Sequence, residues 1–196
     1  MTKKEIIWRE ILYQGIEKKS RQFTQKKLAS IFGFSLSTVF NALKIPREIG
    51  AVRVTGRYFI LQDPEKLLYL WATHRNLKKE ILYKTQIKKA SVFEIEGMMP
   101  PEIIYGAYSA FRKRFKEVPA DYDKIYIYAK KINEIKKRFP PKKGYENLIV
   151  LQSDPFLKKY GKITTLAQTF VDLWNLPEWY ARDFYLDLGN KIRELL

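Results

Sequence analysis

Residues 23 to 61 read FTQKKLASIFGFSLSTVFNALKIPREIGAVRVTGRYFIL, and no other stretch of the chain restricts the fold so tightly. Thr24 is placed to cap a helix that carries Leu28, Ala29 and Ile31, and Gly33 supplies the left-handed residue that ends it. Ser35 then caps a second helix, residues 35 to 44, whose Val39 and Leu43 face inward and which Pro46 is expected to end. Two alternating segments, Ile49 to Val54 and Tyr58 to Leu61, flank Thr55, Gly56 and Arg57 and read as a β-hairpin. Two short helices joined by a tight turn and followed by a hairpin are the outline of a winged helix-turn-helix. Upstream, Ile6, Ile7, Ile11, Leu12 and Ile16 recur at helical spacing with Trp8, so residues 4 to 18 are expected to form an amphipathic first helix that fills its core.

The polar residues of the same stretch point to a ligand. On helix 35–44, Leu36, Ser37, Phe40, Asn41 and Lys44 are left on or near the outer face. A helix of this kind enters the DNA major groove, where asparagine reads adenine through two hydrogen bonds and hydroxyls hold phosphate. Arg53 and Arg57 lie at or beside the hairpin tip, within reach of phosphate or the minor groove. The expected DNA-contacting set is Thr24, Lys26, Lys27, Ser35, Ser37, Thr38, Asn41, Lys44, Arg47, Arg53 and Arg57.

Charge agrees with a polyanion partner. The 196 residues carry a formal net charge of +16, and a protein this basic usually meets nucleic acid. Residues 1 to 62 hold 12 Lys/Arg against 4 Asp/Glu, and residues 112 to 143 hold the same numbers, whereas residues 163 to 196 hold 3 against 5. The second basic zone is open to a plainer reading, a lysine-rich surface that keeps the chain soluble. The aromatics interleaved with it, Tyr105, Tyr108, Phe111, Phe115, Tyr122, Tyr126 and Tyr128, are expected to be core rather than base-stacking platforms.

Composition also removes options. There is no cysteine and a single histidine, His74, so disulfides, thiol chemistry and histidine-based zinc sites are not expected, and neither a metal nor a cofactor is assigned. No apolar run is long enough to span a bilayer, and MTKKEIIWREIL has charges where a signal peptide needs an apolar core, which points to the cytoplasm and away from membranes.

Beyond residue 62 the pattern changes. Asp63 and Pro64 signal a helix start, and Leu67, Leu68, Leu70 and Trp71 give helix 64–77 a broad apolar face, to be covered by the rest of the chain or by another subunit in a homodimer. Residues 79 to 96 fit helix and strand equally. Strands are expected at 103–105, 125–129 and 147–152, helices at 107–115, 132–139, 164–174 and 177–195. The fold class is therefore α/β (α+β): an N-terminal winged helix-turn-helix, residues 1–62, and a C-terminal α/β domain, residues 63–196, with a small sheet covered by helices.

One alternative gives that second part chemistry. Gly106 and Ala107 followed by Asp121 and Asp123 loosely match a nucleotidyltransferase, in which paired carboxylates hold magnesium, and Asp154 stands where a third would be. Ala107 replaces the expected serine, Lys124 replaces an apolar strand residue, and both aspartates are ordinary turn residues. A nucleic-acid-binding accessory protein without a regulatory role is a third reading.

The motifs LASIFGFSLSTVFNALKIPREIGAVRVTGRYFIL, IIYGAYSAFRKRF, KIYIYAK, NLIVLQSD and LAQTFVDLWNL, in that order, resemble the AbiEi-like family of type IV antitoxins and related winged-helix regulators. Leu166, Ala167, Gln168, Asp172 and Leu173 are the most family-like positions. The resemblance implies that the winged helix represses an operon on double-stranded DNA and that the C-terminal domain counteracts a toxin-like protein partner of nucleotidyltransferase type. The strongly basic segment 112–143 departs from that pattern.

Overall fold

The computed structural model describes residues 1–88 and 90–196. It has the α+β class expected, with helices around two small sheets. The chain opens with α1 (Lys3–Glu17), started by a Thr2 and Glu5 capping box that satisfies two free N–H groups reciprocally. A two-residue strand β1 (Gln22–Phe23) follows, then α2 (Gln25–Phe32), α3 (Leu36–Glu48) and the hairpin β2 (Val52–Val54) and β3 (Phe59–Leu61). β3 lies between β1 and β2, antiparallel to both. Phe23 stacks on Phe59 at 5.3 Å, which fastens the hairpin to the start of α2.

Around Pro46 the structure departs from expectation. Helix α3 does not stop before Pro46 but runs on to Glu48. Proline lacks the N–H that would bond to the carbonyl four residues back, and here that carbonyl, Ala42 O, accepts instead from Trp8 Nε1 of α1 at 2.8 Å. With the gap filled from outside, the last turn survives. Residues 49–51, expected to begin a strand, instead close the helix, and Gly50 turns the chain at φ 74°.

The remainder forms α4 (Pro64–His74), β4 (Ile81–Thr85), α5 (Val92–Gly97), β5 (Ile104–Tyr105), α6 (Ala107–Phe115), β6 (Ile125–Ala129), α7 (Asn133–Arg138), β7 (Leu148–Gln152), α8 (Leu166–Trp174) and α9 (Ala181–Glu194). Helix α4 ends three residues earlier than expected and α9 starts four later. The ambiguous 79–96 stretch resolves into β4 and the start of α5, with Lys89 outside the described residues. The sheet order is β4-β7-β6-β5, with β6 and β7 parallel and both edges antiparallel.

Side-chain alternation divides this sheet into two faces. Tyr126, Tyr128, Ile149 and Leu151 point to one core, Ile125, Ile127, Leu148 and Val150 to the other. The larger core continues without a break from α1, α2 and α3 into α4, α6, α8 and α9, so the chain on either side of residue 62 shares one apolar interior. Helix α8 sits at its centre with all but Trp174 buried. The apolar face of α4, Leu67, Leu68 and Trp71, is covered by the chain itself, against α1 and α8. Burying each such side chain contributes about 1.5–3 kcal/mol.

Two buried arginines cross the junction. Arg9 of α1 makes a bidentate pair with Asp154, 2.6 and 2.8 Å, and its Nη1 donates to Gln168 Oε1 at 3.1 Å. Arg75, just past α4, meets Glu5 at 3.2 Å and Asp172 at 3.3 Å, and donates to the Tyr128 hydroxyl. Gln168 and Asp172 thus sit one turn apart on α8, each holding one arginine. Burial works against the Asp154 and Glu5 carboxylates, but Arg9 and Arg75 outweigh it and hold both below the usual range. For Asp172 burial wins over Arg75 and Tyr128, and its pKa is pushed up to about 6.

Candidate nucleic-acid interface

The helix-turn-helix is assembled by local hydrogen bonds that the side chains dictate. Thr24 Oγ1 accepts from Lys27 N at 3.1 Å and starts α2. Gly33, at φ 62°, ends it, and the Phe34 N–H reaches back to Ala29 O at 2.9 Å in a Schellman closure. Ser35 Oγ accepts from Thr38 N at 3.1 Å, and the two hydroxyls lie 2.9 Å apart. Thr24, Ser35 and Thr38 therefore shape the motif through their own hydrogen bonds.

Helix α3 is buried on one face through Val39, Ala42, Leu43 and Pro46. Leu36, Ser37, Phe40, Asn41, Lys44 and Arg47 are exposed. Asn41 is held only by a long contact to Ser37 Oγ, 3.5 Å, so its amide is free to turn outward. Leu36 and Phe40 are 55% and 43% exposed, and apolar groups beside an asparagine are able to contact the thymine methyls of a major groove.

Because α3 continues past Pro46, Lys44, Arg47 and Arg53 converge on a groove of about 600 Å³ between the end of α3 and β2, into which Glu48 and Gln62 also project. Gln62, beyond the hairpin, had no local signal in the sequence; it arrives because its N–H bonds to Ala51 O at 2.9 Å. Arg57 stands apart at the hairpin turn, which Thr55 closes by donating to Tyr58 O through N at 2.8 Å and through Oγ1 at 2.7 Å. Lys26 and Lys27 are exposed on α2. Among the described residues none of these six cations is in an ion pair.

The second basic zone is built differently. Arg112 and Lys113 both turn to Glu96, and Arg114 reaches Glu17 at 3.0 Å. Those three cations are ion-paired within the chain, two of them sharing the single carboxylate of Glu96. Tyr108, Tyr126 and Tyr128 are buried, as expected of core aromatics, and the first two donate to Glu178. The three aspartates have different surroundings: Asp154 has both oxygens on Arg9, Asp123 accepts from Tyr180 at 2.6 Å, and Asp121 is exposed. Asp154 is therefore not placed as a third carboxylate for the other two, and no trio of metal-ligating side chains is gathered among the described residues.

No helix among those residues is long and apolar enough to cross a membrane. Comparison of the chain with family models, with curated proteins and with solved structures finds no match in any of the three.

Proposed function

We propose that this chain is a sequence-specific DNA-binding transcriptional regulator in which α3 reads the major groove and the β2–β3 wing grips the flanking backbone. The observation that carries this reading is the two-sided α3. Its inner face is locked into the core by Val39, Ala42 and Leu43, and its outer face offers Ser37, Asn41 and Lys44 to solvent, beside Arg47 and Arg53. A helix fixed on its inner face, with a polar outer face whose cations are in no ion pair among the described residues, is what base readout needs. The order α1, β1, α2, α3, β2, β3 supports the same reading, since it leaves the wing beside that helix. The resemblance in LAQTFVDLWNL makes antitoxin-like control in the cytoplasm the proposed context, with the part beyond α4 meeting a protein partner.

The test is binding to an operator selected from a random duplex library. Asn41→Ala is expected to cost about 1–3 kcal/mol of preference for the selected site. Arg57→Ala is expected to weaken binding to all sequences alike and to make the salt slope shallower by about one. Unchanged binding by both variants would sink the assignment.

A further inference from the structure

A cavity of about 580 Å³ opens where the parallel strands β6 and β7 end. Such crevices, beyond the carboxyl ends of parallel strands, are where open α/β sheets take ligands, and small-molecule sites run from about 300 to 1,000 Å³. The floor is apolar, from Ile103, Ile104, Ala129 and Ile135. The rim carries three ammonium groups, Lys130, Lys131 and Lys158, against Glu102 and Glu134. Lys158 and Glu102 are 3.9 Å apart with both side chains about three-quarters exposed, a pair too weak to hold Lys158 against a better anion. Lys130 and Lys131 are exposed, and the Asn133 amide at the same rim adds a donor and an acceptor.

The wall of this cavity is also the wall of the helix-turn-helix. Ser153 and Lys158 line the cavity, and the residues around them reach the other way. Asp154 holds Arg9 of α1. The Phe156 ring lies 5.0 Å from Phe32 and 5.8 Å from Phe34, at the turn between α2 and α3. Lys159 pairs with Glu10 at 2.7 Å. Segment 153–160 therefore touches the cavity on one side and the helix-turn-helix on the other, through one buried ion pair, Arg9 with Asp154, and through contacts of the half-buried Phe156 and of Lys159; packed elements of this kind shift between discrete arrangements rather than deform smoothly.

We infer that this cleft binds a small phosphate-bearing molecule with a planar heteroaromatic ring, of the mononucleotide class, and that occupancy is passed through residues 153–160 to the helix-turn-helix. The lysines meet the phosphate and the isoleucine floor meets the ring. The binding half is independent of the proposed function; the coupling half rests on it.

Titration calorimetry of the full chain with AMP, GMP, CMP and UMP, and with inorganic phosphate, at fixed ionic strength tests the binding half. At least one nucleotide is expected to saturate with Kd below about 1 mM and to bind more tightly than phosphate. Lys130→Glu combined with Lys158→Glu should weaken it about tenfold or more. Lys142→Glu with Lys143→Glu, in the same basic zone but outside the cleft, should stay within about twofold of wild type. No saturation by any nucleotide, equal affinity for phosphate, or equal loss in both double variants overturns the site. For the coupling, the saturating nucleotide is expected to change operator affinity at least about threefold in wild type and not in the Lys130/Lys158 variant. Unchanged operator affinity overturns the coupling alone. Absence of any sequence-specific DNA binding removes both the coupling and the proposed function and leaves the titration to stand.

Discussion

The indole N–H of Trp8 donates to the carbonyl of Ala42 at 2.8 Å, across 34 residues of sequence, and the acceptor is the carbonyl that Pro46 cannot serve. One bond thereby fixes α1 to α3 and carries α3 through a proline, which sets where Arg47 stands.

Trp8→Phe keeps most of the apolar bulk and removes the donor. Leaving a buried carbonyl without its partner costs about 1–3 kcal/mol. Pro46→Ala supplies the missing backbone N–H, so the Trp8→Phe cost is expected to be smaller in that background. A urea-denaturation double-mutant cycle measures the difference; equal costs in both backgrounds would contradict the role given to the indole.

Truncating Arg9 to Met strands the buried Asp154 carboxylate, and a loss of about 3–5 kcal/mol is expected. Adding Asp154→Leu removes the stranded charge and should recover part of that loss. Chemical denaturation of the two single variants and the double variant reads this directly, and simple additivity would show that the pair is not coupled.

The pH dependence follows from Asp172. Its folded pKa, about 6, lies above the ordinary carboxylate value of 3.8, so the folded state holds the proton more tightly than the unfolded one. Its contribution to stability is fully present below pH 3.8 and is lost as pH rises through 6. The stability of wild type relative to Asp172→Asn should therefore fall by on the order of 2 kcal/mol between those limits. Unfolding curves of both proteins across that range test it, and a difference that rises with pH would reverse the assignment. Glu5 and Asp154, held low by their arginines, act in the opposite sense and are common to both proteins.

At the turn of the motif, Gly33 sits at φ 62° with open space where a Cβ would go. Gly33→Ala is then a measure of backbone strain alone, expected at about 1 kcal/mol. Gly33→Asn should cost less, because asparagine tolerates the left-handed region. Thermal melts of the two variants would separate them, and an alanine variant as stable as wild type would mean the turn had moved.

What the sequence determined by itself is whatever rests on neighbours a few residues apart. The caps at Thr24 and Ser35, the left-handed Gly33 and the alternation of Ile125 to Ala129 are short-range physics, and the elements they specify appear at those places. The outward set Ser37, Asn41 and Lys44 was legible for the same reason, since helical periodicity alone separates it from Val39 and Leu43. The tertiary structure decided what depends on distant partners. Strand β4 had no local signature because its pairing comes from β7, more than sixty residues away. Helix α3 outlasts Pro46 because an indole from α1 replaces a backbone donor, and only then do Lys44, Arg47 and Arg53 share one groove. Asp154, a plausible metal ligand in the sequence, becomes an ion-pair partner once Arg9 is buried beside it, because a desolvated charge is stable in the interior only when it is paired.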